Sequence, residues 1–409
     1  MITRVGFKQK NISIINNLLY TILLSLWVTP YYIRGVVLGQ NIRSTNIIGI
    51  LALSILFIIY LLNLEKGNRV FLTLICILSL IYTNTQLITS SSIYVIINYY
   101  LEIVFPLILL DFKLKVEEFP KIFRMFLKIF NLFVIILLAL GVIDFVDNHI
   151  IISTLVELFN DIGFTELVNS MGETRYFSFM GHPLYNCEIF LIFFIINNLN
   201  NKYFKSILNP IVITLISIIG IALTGSKTGL VLIILGVFVL NIYNKKVFIF
   251  QIVLSFIALY IGIFNTTIER FNGSLTTGRN EMWEVITSFD YFPIKFFNGY
   301  GSGFTFKYNN IVNGASAAFE YPARMFSLEY GILFTIILYV IFTIPLIKLL
   351  RRKHYFILMG YMIVFVDINT YNGIALAQDH MLMSCLILFI MINMSNYLFF
   401  SKNMTSKDK

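Results

Sequence analysis

Cationic side chains stand beside glycines, hydroxyl groups or prolines at four separate places in this sequence. Arg175 lies shortly before a Gly-His-Pro, and Arg324 follows a Glu-Tyr-Pro-Ala. Arg279 follows Thr-Thr-Gly, and Lys227 is the only basic residue of the Thr-Gly-Ser-Lys-Thr-Gly stretch at 224–229. A guanidinium group donates paired hydrogen bonds to phosphate or carboxylate oxygens, and a lysine offers a point charge. These residues predict a site for a phosphate-bearing ligand.

Acidic, imidazole and aromatic groups accompany these cations. Glu320 lies four residues before Arg324, so on a helix the two side chains would share a face; a plain surface ion pair is the alternative. Tyr300 sits in the run Gly-Tyr-Gly-Ser-Gly, which is flexible enough for close backbone approach to a ligand. His380 flanks the last turn predicted on the same side, together with Asp367, Asn369 and Asp379, and these residues would help to close the site.

His182 and Pro183 precede a long apolar run, which predicts a helix that begins at this point. The free N–H groups at its start are suited to an anion. In the alternative interpretation, His182 and Asn186 only cap and pack. Glu188 lies one turn further on, and we expect it to face the interior of the protein, because an unpartnered acid in an apolar run is costly.

Nucleotide and metal chemistry find no support in the sequence. The stretch 224–229 lacks the Gly-x-x-x-x-Gly-Lys spacing of a P-loop, and no strand precedes it. Cys76, Cys187 and Cys385 lie in or beside apolar runs, too far apart for a zinc spacing or a disulfide framework. We therefore expect no metal and no cofactor.

The elements that must position these residues are membrane helices. Of the 409 residues, 58% are hydrophobic and 12% are charged, which is typical of a polytopic membrane protein. We predict an all-α protein with about 12 transmembrane helices in a single integral membrane domain, residues 1–409, without a cleavable signal peptide. The predicted helices centre on Leu23, Leu56, Ile77, Glu102, Val134, Phe193, Leu215, Leu235, Leu254, Leu338, Val364 and Phe389.

Basic residues predict the orientation of these helices. With both termini cytoplasmic, 21 of the 30 Lys and Arg residues fall on the inner side. The remaining basic residues fall outside, and most are arginines: Arg34, Arg43, Arg175, Lys227, Arg270, Arg279, Lys295, Lys307 and Arg324. Pairing with outer acids is one explanation for them, and ligand binding is the other. Because the charges punctuate apolar runs instead of forming a soluble basic patch, we exclude nucleic acid as a partner.

Two large extracytoplasmic loops follow from this topology. The first, 144–180, contains a predicted short helix at 150–159 on the membrane surface. The second, 265–325, contains a predicted short helix at 280–289 and most of the residues that could perform chemistry, so we assign it the active site.

The chain resembles the O-antigen polymerase and O-antigen ligase family of bacterial membrane glycosyltransferases. The resemblance covers about residues 175–331, and three pieces carry it: Arg175 with Gly181-His182-Pro183, the turn Thr224 to Gly229, and Gly278-Arg279 with Trp283, Gly299-Tyr300-Gly301 and Glu329-Tyr330-Gly331. The family transfers an undecaprenyl-pyrophosphate-linked glycan at the outer face of the membrane without nucleotide or metal. Two departures stand out: Lys227 occupies a position where the family usually carries arginine, and Glu320 stands where the ligase branch has a catalytic histidine.

The resemblance implies a polymerase of lipid-linked repeat units in the bacterial cytoplasmic membrane. Arg175, Lys227, Arg279 and Arg324 would hold the donor's pyrophosphate, and Glu320 would be the general base. His182 and His380 are second candidates for the base, and Tyr300 is a further binding residue. The expected partners are donor and acceptor glycans, membrane lipids and a chain-length regulator.

Two other functions remain open. A ligase would differ only in its acceptor. A flippase of lipid-linked oligosaccharide should carry charges along an interior path, and the sequence places only Glu102 and Glu188 there. The sugars, the linkage and the oligomeric state are not determined by the sequence.

Overall fold

The fold was obtained as a computed structural model. It describes the backbone of residues 2–40, 42–62, 68–271, 280, 283–284, 288, 292–313, 320–376 and 378–405, and the side chains of these residues except 2–13, 312–313 and 402–405. Within these ranges the chain is all-helical and contains no β-strand. The all-α prediction is therefore confirmed for this part of the chain.

The helices are numbered in chain order. The helix Ile93–Tyr99 (α5) continues through a π turn at Tyr100–Val104 and a 3₁₀ turn at Phe105–Leu110, where Pro106 removes a backbone donor. The described helices are α1 Ile2–Val28, α2 Tyr31–Leu38, α3 Ile47–Leu62, α4 Arg69–Ile88, α5 Ile93–Tyr99, α6 Phe119–Val146, α7 Ile150–Phe159, α8 Ile162–Met171, α9 Pro183–Tyr203, α10 Pro210–Thr224, α11 Lys227–Leu240, α12 Lys245–Tyr260, α13 Asn265–Glu269, α14 Phe304–Asn313, α15 Pro322–Tyr330, α16 Ile332–Arg351, α17 Tyr355–Ile368 and α18 His380–Thr405.

Five of the described helices are long and apolar enough to cross a membrane: Arg69–Ile88, Ile93–Leu110, Phe119–Val146, Ile332–Arg351 and His380–Ser401. Ile14–Val28 and Tyr31–Leu38, bent by 84°, make a sixth if they count as one span. All twelve predicted centres lie in helical backbone. The centres outside these six segments fall in helices of lower hydropathy or shorter length. A helix of 14 residues, such as α17, reaches about 21 Å, whereas the hydrocarbon core is about 30 Å thick.

Helices α9 and α18 form the centre of the bundle. Their side chains are buried on every face, from residue 185 to 200 in α9 and from 381 to 396 in α18. Asn197 of α9 finds its partner inside the bundle, since Asn197 and Asn131 of α6 exchange hydrogen bonds of 2.8 and 3.0 Å. Helix α11 approaches α9 closely at Gly229, where any Cβ would collide with Cys187 Sγ.

The first predicted loop is a folded cap. The helix predicted at 150–159 is confirmed as α7, and α8 follows it. The two helices bury a separate hydrophobic cluster, formed by Ile152, Leu155, Phe159, Phe164 and Phe177. Asp144 Oδ1 accepts a hydrogen bond of 2.9 Å from the Ile152 backbone N–H, which fixes the start of α7.

Backbone hydrogen bonds hold part of the second predicted loop against the end of α15 and the start of α16. Tyr300 N–H donates to Leu328 O at 3.0 Å, and Gly301 N–H donates to Glu329 O at 2.8 Å. On the far side of α15, Ile332 N–H donates to Lys295 O at 3.0 Å. The Gly-Tyr-Gly run therefore serves a structural purpose, because Gly299 lets two backbone segments touch.

Replacing Gly299 with Ala should prevent most molecules of the protein from folding. The added Cβ would collide with backbone atoms of Leu328 and Glu329, which cannot rotate away. We expect the free energy of unfolding to fall by about 4 kcal/mol or more, which is the range of severe steric changes. The measurement is the yield of monodisperse protein on size-exclusion chromatography.

The control for this prediction is Gly163→Ala in α8. A Cβ at Gly163 would approach only Asp161 Oδ1, at 3.5 Å. This variant should give the wild-type yield. An equal yield from both variants would contradict the close packing of these segments.

Candidate functional site

A cavity of about 140 Å³ opens at one end of the bundle, where α9 and α11 begin and α17 ends. Its lining comes from distant parts of the chain: Met171, Arg175, His182, Leu184, Ser226, Lys227, Thr228, Arg270, Glu320, Asp367, Thr370 and Tyr371. Five of the residues singled out in the sequence thus line one cavity: Arg175, His182, Lys227, Glu320 and Asp367. The fold places cations, an imidazole and a carboxylate around a shared space.

Arg175 and Arg270 are positioned by the end of α10. The last carbonyl groups of a helix have no partner within the helix and need outside donors. Arg175 Nε donates to Thr224 O at 2.8 Å, and Arg270 Nη1 donates to Gly225 O. Gly225 adopts the left-handed conformation, with φ of 60°, that ends the helix. The turn predicted at 224–229 is confirmed, and it orients two arginines toward the cavity.

Lys227 is the first residue of α11. The side chain of Ser226 caps this helix and accepts a hydrogen bond of 3.1 Å from Gly229 N–H. The Lys227 ammonium lies 5.6 Å from the centre of the Phe271 ring. Since a helix start carries partial positive charge, α11 adds to the field of the three cations. This side of the cavity is suited to a multiply charged anion.

His182 caps α9, which begins at the position that the sequence predicted. Its Nδ1 accepts a hydrogen bond of 3.1 Å from Leu184 N–H, so the neutral ring carries its proton on Nε2. Part of the His182 ring faces the cavity, but most of it is buried. Burial, and then the charges of Arg175 and His380, lower the pKa of His182 to about 3. A base this weak is better suited to donate a hydrogen bond to a ligand than to accept a proton.

A second cavity of about 280 Å³ adjoins the first and shares His182, Glu320 and Tyr371 with it. The rest of its lining is neutral or aromatic: Tyr32, Leu167, Met180, Gly181, Asn372, Leu376, Gln378 and His380. His380 therefore lies across this shared wall from the cationic cavity. Amide, hydroxyl and aromatic groups of this kind suit a neutral polar ligand such as a sugar.

Two predicted site residues lie elsewhere. The guanidinium of Arg324 stacks over the rings of Trp283 and Tyr321, at 4.8 and 4.4 Å, and does not line either cavity. Tyr300 donates a hydrogen bond of 2.9 Å to Pro293 O and also lines neither. Arg279 lies outside the described residues.

The expectation that Glu320 and Arg324 share a helix face is wrong. Helix α15 begins at Pro322, so Glu320 precedes it, and its φ of 54° is left-handed. This backbone conformation turns Glu320 away from the helix axis and into the wall between the two cavities. The helix predicted at 280–289 falls mainly outside the described residues.

Sequence reasoning gave no individual role to three lining residues: Arg270, Thr370 and Tyr371. Arg270 is one of the outer arginines that oppose the usual charge bias, which was the available signal. Asp367 is buried at the end of α17, and its Oδ2 has no hydrogen-bond partner among the described residues. A buried carboxylate oxygen at a cavity wall is suited to accept from a ligand hydroxyl.

A buried polar network lies beneath the second cavity. Tyr371 OH donates to Glu188 Oε2, and Ser384 Oγ donates to Glu188 Oε1 at 3.1 Å. Glu188 therefore faces the interior, as predicted. Beside His380 in the chain, Asp379 forms a buried ion pair of 2.8 Å with Arg34.

This ion pair extends to a further acid. Asp379 Oδ1 accepts 3.1 Å hydrogen bonds from both Arg34 and Asn46. The backbone N–H of Asn46 donates to Glu102 Oε1 at 3.0 Å. The interior of the described chain thus holds more charge than the two acids that the sequence predicted there.

Glu329 gives the folded protein a predictable pH dependence. The side chain is buried, and its Oε1 accepts a hydrogen bond of 3.2 Å from Thr305 N–H. Burial raises the pKa of Glu329 from 4.5 to about 7, so the folded protein keeps this proton where an unfolded chain has lost it. The free energy of unfolding should therefore fall by on the order of 3 kcal/mol as pH rises from about 4.5 to 7.

Glu329→Gln should remove this part of the pH dependence, because the amide is neutral in both states. Thermal unfolding in detergent at about pH 5 and pH 8 measures the effect. Glu157→Gln, at an exposed position in α7, is the matched control and should behave like the wild type. The same fall with pH in Glu329→Gln and the wild type would contradict the assignment.

No protein-family model, curated protein or solved structure matches this chain.

Proposed function

We propose that this protein is a membrane glycosyltransferase that polymerises undecaprenyl-pyrophosphate-linked oligosaccharide repeat units at the outer face of the bacterial cytoplasmic membrane. The observation that carries the proposal is the cavity in which Arg175, Lys227 and Arg270 meet Glu320. A diphosphate leaving group needs concentrated positive charge, and an attacking hydroxyl needs a base. Both kinds of group line this cavity.

The cationic wall has the chemistry to hold the donor's pyrophosphate. Two arginines and one lysine, together with the start of α11, present positive charge in a partly enclosed space. Such preorganised charge stabilises the negative charge that develops on a leaving group in the transition state. In this proposal Lys227 and Arg270 contact the phosphates, while Arg175 both supports the turn and contributes charge.

The reaction assigned to this site is a single displacement. The acceptor hydroxyl oxygen bonds to C1 of the donor sugar, and the bond between C1 and the pyrophosphate oxygen breaks. The electron pair of that bond leaves with the lipid pyrophosphate. The hydroxyl proton passes to the Glu320 carboxylate, which lines both cavities and so lies between donor and acceptor.

The proposal includes the twelve-span topology with cytoplasmic termini. The basic end of α16, with Lys348 and Arg351, lies at the opposite end of this helix from α15, which bears Glu329. Because lysine and arginine favour the cytoplasmic side, this arrangement supports an outer location for the cavities in the proposal. The shorter helices would be accommodated by local thinning of the bilayer.

A flippase for the same lipid-linked substrate is the second candidate. The buried Arg34–Asp379 pair and Glu102 are the interior charges that such a transporter would use. A ligase would use the same cationic wall and donor, and only its acceptor would differ.

The deciding experiment incubates the purified protein with lipid-linked repeat units and separates the products on a gel. A polymerase gives a ladder of products that each grow by one repeat unit, with release of undecaprenyl pyrophosphate. Protein reconstituted in vesicles with a fluorescent lipid-linked substrate tests the flippase. Movement of this lipid between leaflets without a ladder would overturn the polymerase proposal.

A further inference from the structure

A third cavity, of about 280 Å³, lies at the opposite end of the bundle from the cationic site. It is bounded by the start of α4, the chain that follows the 3₁₀ turn, the end of α16 and the middle of α18. Its lining is Asn68, Leu110, Asp111, Lys113, Pro345, Lys348, Leu349, Arg352, Ile392, Ser395 and Asn396. The reaction proposed above uses none of these residues.

Cations outnumber acids in this cavity, because Lys113, Lys348 and Arg352 accompany the single carboxylate of Asp111. Lys348 Nζ lies 3.3 Å from Asp111 Oδ1, and Tyr60 OH donates to Asp111 Oδ2 at 3.0 Å. Both carboxylate oxygens of Asp111 thus have partners, and the net charge of the lining stays positive. The usual excess of basic residues on the cytoplasmic side explains their presence at this end, but not their convergence on an enclosed space.

Arg352 lacks a counterion in the part of the chain that the structure describes. Its Nη1 donates to Asn396 Oδ1 at 2.6 Å and to Ser395 Oγ at 3.3 Å, and both of these partners are neutral. Partial burial lowers the pKa of Arg352 from its usual value. A half-buried guanidinium with only neutral partners is stabilised when an anion enters beside it.

The neighbouring polar groups are rigidly held. His354 Nδ1 and Ser395 Oγ lie 2.7 Å apart in a buried hydrogen bond, and Asn396 Nδ2 donates to Asn393 Oδ1 at 3.4 Å. Lys113 Nζ donates to Asn68 Oδ1 at 3.3 Å across the cavity. Fixed hydroxyl and amide groups around converging cations make a preformed site for phosphate oxygens.

We propose that this cavity binds a phosphate group, and that the phosphodiester of an anionic phospholipid in the cytoplasmic leaflet supplies it. Basic pockets between membrane helices on the cytoplasmic side recognise such headgroups. The cavity is separate from the cationic site, so this inference does not rest on the proposed polymerase activity; it rests on the topology that the proposed function includes, which puts this end of the bundle at the cytoplasmic leaflet.

The test uses full-length purified protein and native mass spectrometry with added phosphatidylglycerol, and with zwitterionic phosphatidylethanolamine as the comparison lipid. The wild type should retain phosphatidylglycerol preferentially. Arg352→Gln should bind it roughly tenfold more weakly or worse, because a charge-assisted hydrogen bond is lost. Arg351→Gln is the matched control, since Arg351 is adjacent in sequence, exposed and absent from the cavity lining, and it should bind like the wild type.

Lys113→Gln provides a second variant in case Arg352→Gln does not give monodisperse protein, and it too should weaken binding. Inorganic phosphate distinguishes the sources of the ligand. Thermal stabilisation of the wild type but not of Arg352→Gln by inorganic phosphate, with no preferential retention of phosphatidylglycerol, would support the site but overturn the lipid as its source. Equal retention of phosphatidylglycerol by the Arg352, Lys113 and Arg351 variants would overturn the site itself.

Discussion

Glu320→Gln is expected to abolish the formation of long polymer while leaving the protein folded in the membrane. Gln has the shape of Glu but cannot take a proton from the acceptor hydroxyl. Loss of a general base typically slows a reaction by about 10²–10⁴-fold. Purified protein, lipid-linked repeat units and a gel that resolves single repeats provide the measurement, and size-exclusion chromatography checks folding.

Glu157→Gln is the control for this variant, because Glu157 is exposed on α7 and lines neither cavity. It should make polymer at the wild-type rate. Long chains produced by Glu320→Gln would remove Glu320 from the role of base. Asp367, which also lines the cationic cavity and has a carboxylate oxygen without a described partner, would then be the next residue to test.

Lys227→Met should reduce the rate of transfer by about 10²-fold or more, the usual effect of losing one group that stabilises transition-state charge. Methionine keeps the length and helix propensity of lysine, so α11 should still begin at this position. Lys227→Arg should retain most of the activity, because it keeps the charge. The measurement is the initial rate of pyrophosphate-lipid release at saturating donor.

The matched control is Lys295→Met. The Lys295 ammonium lies 4.2 Å from the centre of the Tyr300 ring and does not line either cavity, so its charge is not available to the donor. Replacing Lys227 is a sharper test than replacing Arg175, because loss of Arg175 would also leave the carbonyl of Thr224 at the end of α10 without this donor. Equal rates for Lys227→Met and the wild type would contradict the phosphate role of this side chain.

Local features of the site were predictable from the sequence because short-range rules determine them. His182 before Pro183 marks a helix start, and Gly225 between two apolar runs marks a tight turn; both features are present. The charge of Lys227 in that turn needed no structure to be noticed. Each of these predictions depends only on residues within about one helical turn.

The structure does not bring Tyr300 and Arg324 to the cavities. Both lie in the segment that the sequence marked as the active site, yet each side chain packs against local aromatic rings instead of the cavities. Glycines around Tyr300 indicate close backbone approach, but not whether a ligand or another segment approaches. Here the neighbour is the backbone of Leu328 and Glu329.

The sequence by itself determined the all-helical fold class, the many apolar helices and the starting points of several of them. The described part of the chain agrees with this. Hydrophobic content and capping residues act locally, so they can be read from the chain in order. Only the tertiary structure decided that Arg270, Asp367 and Tyr371 meet Lys227 and Glu320, and that Arg34 is buried against Asp379. Side chains separated by hundreds of positions become neighbours through the packing of α9, α11, α17 and α18, and spacing along the chain carries no record of that packing.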